Sequence, residues 1–217
     1  MPLAIFDLDN TLLHGDSDYL WGRFMVKRSL VDGPSYDAEN DRFYQQYLAG
    51  TLDIHAYLRF ALAPLTWYSP EELHAWRREF VDEWIRPLVL PRGRELVRDH
   101  AARGDTTLII TATNRFITTP IADLFSVDEL LATTPEWRDG AYTGEVTGPV
   151  TFGAGKVEAL EEWLTRHGES LAGSHFYSDS HNDLPLLERV DHPVAVDADD
   201  TLLRHAGERG WRTMSLR

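Results

Sequence analysis

The stretch that most constrains this chain is Leu3-Ala4-Ile5-Phe6-Asp7-Leu8-Asp9-Asn10-Thr11-Leu12-Leu13, in which an apolar run ends abruptly in alternating acids. A short apolar run bounded in this way reads as a strand buried on both faces, the kind found in parallel sheets covered by helices. Ligands of such sheets bind in the crevice beyond the carboxyl ends of the strands, so Asp7 and Asp9 would face a ligand there. Taken alone, the stretch also allows a plainer role, with both acids serving as turn or helix-capping residues.

Three later stretches bear on that choice. Thr107-Leu108-Ile109-Ile110-Thr111-Ala112-Thr113-Asn114 is a second apolar strand ending in small polar residues. Gly153-Ala154-Gly155-Lys156 opens an amphipathic helix, and His175-Phe176-Tyr177-Ser178-Asp179-Ser180-His181-Asn182-Asp183 is a third strand-to-loop transition carrying two acids. Strands that alternate with helices predict an α/β fold, with a Rossmann-like parallel sheet built by right-handed crossovers.

Residues 15–86 break that alternation. Apolar and aromatic residues recur there at helical spacing, predicting an all-helical insertion with helices near 38–49, 53–63 and 70–85 between core segments 1–14 and 87–217. Trp21, Trp67, Trp76 and Trp84 would either fill its interior or contribute to a cavity wall. Farther on, 114–124 reads as a helix with Pro120 near its first turn, and Asp139-Gly140 as the turn of a β-hairpin.

Composition narrows the partners. At 217 residues, 43% hydrophobic and 26% charged, the chain can bury one sizeable core or a core plus a small insertion. A net charge of −14 opposes nonspecific attachment to nucleic acid or anionic membrane. It also gives a phosphate ester no long-range attraction, so phosphate affinity would have to come from local cations and amides. The absence of cysteine excludes disulfides, thiolate metal sites and cysteine nucleophiles. No apolar stretch approaches the ~20 residues of a spanning helix. The first strand begins too early to leave room for a signal peptide, so a soluble cytoplasmic protein with no nucleic-acid or membrane partner is expected.

Taken in order, Asp7-x-Asp9-x-Thr11, Thr111, Lys156 and Ser178-Asp179-Ser180-x-Asn182-Asp183 resemble the four-motif signature of the haloacid dehalogenase superfamily of phosphatases. The likeness is greatest to the phosphoserine-phosphatase-like branch, subfamily IB, whose cap is inserted after the first motif. The resemblance implies a central first-motif strand flanked by the second- and fourth-motif strands. It also implies a Mg²⁺-dependent phosphatase that hydrolyses a small phosphate monoester through an aspartyl-phosphate. Asp7 would then be the nucleophile and Asp9 the general acid and base, while Thr111 and Lys156 hold the phosphate. Asp7, Asp179 and the backbone carbonyl of Asp9 would bind the metal. Asp183 would orient metal-bound water or Lys156, or cap the helix that follows it.

Asp16 occupies the stretch where phosphoserine phosphatases place an acid near the substrate amino group, although Asp16 and Asp18 also suit a helix N-terminus. Asn182 is an added candidate for substrate contact, and His14 and His181 are either substrate contacts or loop residues. Thr111-Ala112-Thr113 stands where phosphoserine phosphatases have Ser-Gly-Gly, a departure that argues against strict phosphoserine specificity. Relatives in this branch act on histidinol phosphate or on a phosphatidylglycerophosphate; the first suits an acidic chain without an apolar membrane face. Two other classes remain: a phospho-acceptor domain similar to response-regulator receivers, and an inactive binding protein. The acid pair and the large insertion argue against the former, and the retention of both Asp7 and Asp9 against the latter.

Overall fold

The computed structural model describes residues 2–217, and it sets the first strand at the middle of a parallel sheet. In chain order the strands are β1 (Leu3–Phe6), β2 (Thr106–Thr111), β3 (Glu129–Ala132), β4 (Thr134–Arg138), β5 (Ala141–Thr147), β6 (His175–Ser178), β7 (His192–Val196) and β8 (Arg212–Met214). Six of them form the sheet β3-β2-β1-β6-β7-β8, while β4 and β5 pair as an antiparallel hairpin. Both residues of its turn, Asp139 and Gly140, have positive φ, as a tight two-residue hairpin turn requires.

Side-chain alternation explains why β1 is central. Leu3 and Ile5 point into an apolar cluster with Leu160, Trp163 and Phe176, whereas Ala4 and Phe6 point into another with Val97 and Tyr177. All four β1 residues are fully buried, which is worth roughly 1.5–3 kcal/mol for each large side chain. Register then aligns the functional ends: Phe6 pairs with Ile109 on one side and Tyr177 on the other. Asp7, Thr111 and Asp179 therefore leave the sheet at the same edge.

The helices are α1 (Ser17–Lys27), α2 (Gly33–Leu48), α3 (Ile54–Leu62), α4 (Pro70–Phe80), α5 (Pro91–Ala102), α6 (Arg115–Ala122), α7 (Ala154–His167), α8 (Leu184–Leu187) and α9 (Asp200–Arg209). Residues 17–88 are helical apart from short connections, as the periodicity predicts. Ser69 and Glu72 cap α4 reciprocally, with Pro70 in its first turn. Trp21 is buried, stacking on Phe24 with ring centroids 5.3 Å apart and meeting Phe80 edge-on at 5.2 Å. Trp76 and Trp84 pack at the margin of the same cluster. Trp67 departs from expectation: it lies after the 3₁₀ turn Ala63–Thr66 and is 56% exposed, outside the helical face that is buried.

The helical segment leaves and rejoins the sheet through one narrow neck. Leu13 and Val89 form an antiparallel bridge, flanked by His14 N–H donating to Leu88 O and Leu90 N–H donating to Leu12 O. A second tie is made at α6. Pro120 sits inside this helix, not in its first turn, so it offers no N–H to the carbonyl of Phe116 one turn earlier. Arg77 of α4 supplies the missing donor, its Nη1 lying 2.7 Å from that oxygen.

Candidate active site

The loop after β1 folds back sharply. Asn10 adopts φ 57°, a left-handed conformation that asparagine tolerates, and the N–H groups of Leu12 and Leu13 both reach Leu8 O. This turn holds Asp7 and Asp9 over the sheet edge, each less than a tenth exposed. Lys156 arrives from the first turn of α7, where Gly155 is required by space: a Cβ there would lie 1.9 Å from Val150 O. Its ammonium donates to Asp7 Oδ1 at 2.7 Å and to Asp183 Oδ2 at 2.8 Å.

Asp183 also accepts from Ser178 Oγ at 2.7 Å and makes no side-chain cap to α8. Of the two roles the sequence allowed, the one beside Lys156 is what the geometry displays. Asp179 exchanges hydrogen bonds with Thr11: Thr11 Oγ1 donates to Asp179 Oδ1 at 2.9 Å and accepts the Asp179 N–H at 3.0 Å. Asp9 accepts the Ser17 N–H at 2.6 Å and the Thr113 hydroxyl at 2.7 Å. Thr111 Oγ1 lies 3.4 Å from the same Asp9 oxygen and accepts the Thr113 N–H.

These groups floor a cleft of about 670 Å³, open solvent at its mouth included, whose walls come from the helical segment. Asp16, Asp18 and Asn182 line it with Asp7, Asp9, Thr111, Lys156 and Asp183, and Asp179 lies close enough to Asp7 for their charges to act on each other. Asp16 is also the N-cap of α1, accepting from Tyr19 N–H at 2.8 Å, and Asn182 donates to Tyr47 O at 3.3 Å. His14 is exposed, and His181 turns away to Asp199 at 2.8 Å. The tryptophans weighed as cavity residues do not line the cleft; Tyr19, Tyr44, Tyr47, Tyr57, Phe43 and Phe152 do. Alternation and spacing carry no mark of these residues, although a tyrosine differs from a core phenylalanine in needing a partner for its hydroxyl.

Electrostatically the site is short of positive charge. Burial, opposed by Lys156 and reinforced by Asp183 and Asp9, raises Asp7 to about 7. Burial also raises Asp9, against hydrogen bonds from Ser17 and Thr113. Asp16 and Asp179 are pushed well above the usual range, first by burial and then by Asp9 and Asp7 respectively. Burial works to lower Lys156, but Asp183 and Asp7 outweigh it and raise the lysine. Asp18 rises from 3.8 to about 7 through burial, with its Tyr57 hydrogen bond pulling the other way.

A carboxyl with a higher pKa folded than unfolded contributes stability that is fully present below its unfolded pKa and lost as pH rises through its folded one. In chelator, the difference in stability between Asp18→Asn and wild type should therefore move in the variant's favour from pH 4 to pH 8. The upper limit is about 4 kcal/mol, at 1.36 kcal/mol per unit. Melting curves across that range test this, and a difference that stays flat would refute it.

A model of the haloacid dehalogenase-like hydrolase family matches residues 4–188. The chain belongs to this family. A histidinol-phosphatase of Neisseria meningitidis serogroup C is 46% identical to it, with 99% of each chain covered. A phosphoserine phosphatase of Mycobacterium tuberculosis is 34% identical over 99% of this chain and 70% of its own length. Among solved structures, a protein of unknown function from Bordetella pertussis Tohama I matches with TM-score 0.94 and 42% identity, covering 100% of this chain and 99% of that one. A phospho-aspartyl intermediate analogue of phosphoserine phosphatase matches with TM-score 0.71 and 18% identity, covering 100% and 93%, a likeness of fold alone.

Haloacid dehalogenase-like phosphatases generally use Mg²⁺. Among the described residues of this hydrolase, no three acidic or imidazole side chains converge into a complete metal cage. The donors at hand are hard oxygens, the carboxylates of Asp7 and Asp179, which lie close enough for their charges to act on each other. Mg²⁺ is bound through just such a partial set, one or two carboxylates with water and substrate oxygens completing it. The raised acids likewise call for a further cation, so the residues present fit the ion.

Proposed function

We propose that this hydrolase removes phosphate from histidinol phosphate, working through an aspartyl-phosphate on Asp7. It is a phosphoric monoester hydrolase of small phosphate esters, by its family and its full-length kinship with a histidinol-phosphatase. Asp7 attacks phosphorus with the oxygen that Lys156 does not hold, and the P–O bond to the substrate breaks as Asp9 delivers its proton to the leaving oxygen. A raised Asp9 suits that acid role. Asp9 then takes a proton from the attacking water, whose oxygen displaces Asp7 and frees phosphate. Bound Mg²⁺, held by Asp7, Asp179 and the Asp9 carbonyl, would supply positive charge to the phosphate oxygens. Lys156 and Thr111 contribute a cation and a hydroxyl donor to the same oxygens, and Asp183 holds Lys156 in place. We further assign residues 15–86 as a cap hinged at the Leu13–Val89 neck, closing over the substrate and excluding water.

The observation that carries the substrate choice is the charge of the cleft. Among the described residues that line it, Lys156 is the only lysine or arginine, and both of its hydrogen bonds go to carboxylates. Phosphoserine would bring a carboxylate beside Asp16 and Asp18 with no cation to receive it. Histidinol phosphate carries an amine and an imidazole and no carboxylate. An ester so charged does not cross a bilayer unaided, which supports a cytoplasmic location where it is made.

Phosphate release should be measured with Mg²⁺ and with chelator, on histidinol phosphate, phosphoserine, a sugar phosphate and a lipid phosphate. Histidinol phosphate is expected to exceed phosphoserine in kcat/KM by at least ~100-fold, the cost of leaving a charged group unpaired in such a site. Activity should disappear in chelator and return with Mg²⁺. Equal or greater turnover of phosphoserine would overturn the substrate assignment.

A further inference from the structure

The reaction above uses the floor of the cleft, but not the wall beyond. There Asp18 of α1 and Tyr57 of α3 line the cleft together, near enough for each to shift the other, and Tyr36 of α2 lies close enough for the Asp18 charge to raise it. Tyr57 is held far from ionising by burial first and then by Asp18 and Asp16. It therefore remains a neutral phenol that can donate or accept. Asp18 opens into the cleft, where the surrounding surface is aromatic and aliphatic: Phe43, Tyr44, Leu52 and Ile54.

Two features separate Asp18 from Asp16. Asp16 is the N-cap and turns its carboxylate back to the Tyr19 N–H, whereas Asp18 lies inside the first turn of α1, so the two carboxyls occupy different positions at the helix start. Their neighbours differ accordingly. The Asp9 charge raises both, but Asp16 faces backbone amides of α1 whereas Asp18 faces the Tyr57 phenol. With Lys156 the only lysine or arginine among the described lining residues, and far from idle on Asp7 and Asp183, nothing in the wall neutralises Asp18. A carboxylate in an apolar enclosure is costly unless paired, so its partner belongs to the ligand.

We propose that Asp18 and Tyr57 form a second subsite that binds a ring nitrogen of the substrate, beyond the ammonium held at Asp16. The assignment rests on the phosphatase reading above and narrows its substrate class to phosphate esters of amino alcohols bearing a nitrogen heteroaromatic ring. A flat ring suits the slot between aromatic walls, where stacking and cation–π attraction add to the hydrogen bond. An imidazole fits best chemically. Its N–H donates to a carboxylate, its bare nitrogen accepts from a carboxylic acid, and its ordinary pKa of about 6.5 lies close to that of Asp18. Either protonation state of the pair leaves one hydrogen bond intact.

The test uses two esters that share the amine and the phosphate and differ in ring nitrogen: histidinol phosphate and phenylalaninol phosphate. With the Mg²⁺-loaded full chain, wild type should favour the imidazole ester by ~100-fold in kcat/KM. Asp18→Asn should reduce that preference to within about fivefold, mainly through KM for the imidazole ester. Tyr57→Phe, which keeps the ring and removes the hydroxyl, should lower it about tenfold and carries the test where Asp18→Asn fails to fold, as judged by circular dichroism. A wild-type preference that survives both substitutions would overturn the subsite and leave the phosphatase reading standing. Failure of wild type to hydrolyse either ester, while it turns over others, would remove the substrate assignment and the subsite together.

Discussion

Asp7→Asn is expected to lower phosphate release by ~10⁴-fold or more while the chain remains folded. The size follows from the role: without a nucleophilic oxygen the covalent route closes, and what remains is positioning and charge stabilisation around a bound ester. Folding should survive because Lys156 keeps its second partner, Asp183, and can still donate to the amide oxygen at position 7. Acid-quenched single turnovers give an independent readout, since wild type should carry phosphate on Asp7 and the variant none. Activity within tenfold of wild type would sink the covalent mechanism. Asp9→Asn differs in kind, with a loss of ~10²–10⁴-fold expected from removing general acid–base help. Its effect should be smaller in the first step for an ester whose leaving group needs no proton.

Lys156→Met is expected to damage both turnover and stability. Loss of a fixed cation aimed at the transferring group costs ~10²–10³-fold in kcat where comparable donors are removed. Asp7 and Asp183, both buried, would also lose the ammonium between them, and breaking such a pair costs about 3–5 kcal/mol. The sign with pH is set by the carboxyls. Asp7 is already raised to about 7, and without the lysine it would rise further, so it would protonate and relieve the cost in mild acid. The variant should therefore trail wild type less at pH 5 than at pH 8 in thermal melts. An equal deficit at both values would show that the lysine acts through packing alone.

Much of the fold was legible because its signals are local. Apolar runs ending in acids marked β1 and β6, helical spacing marked residues 15–86 where the helices run from 17 to 88, and Asp139-Gly140 marked the hairpin turn. What joins distant segments was not local. Thr113 meets Asp9 across 104 positions of chain, and Thr11 meets Asp179 across 168, distances at which no spacing rule operates. The cleft aromatics were hidden for another reason. Periodicity tells which helical face is apolar but not whether that face covers a neighbouring helix or an empty slot, so Tyr44, Tyr47 and Tyr57 looked no different from packing residues. Trp67 is the converse, a large aromatic residue weighed as interior or cavity wall for its size, which the 3₁₀ turn carries outward.

Pro120 turns an apparent defect of α6 into a keyhole. A residue with an N–H at that position would return the Phe116 carbonyl to its own helix and leave Arg77 with nothing to grip. The guanidinium also lies 4.8 Å from the Phe116 ring centroid, so bond and ring contact fix the same point. In the cap reading proposed above, movement of the helical segment away from the sheet is opposed at α6 by the Arg77 bond of 2.7 Å and at the loop after β6 by the longer Asn182–Tyr47 bond of 3.3 Å. The mouth should then swing like a door about the Leu13–Val89 neck and α6, opening first where Asn182 meets Tyr47.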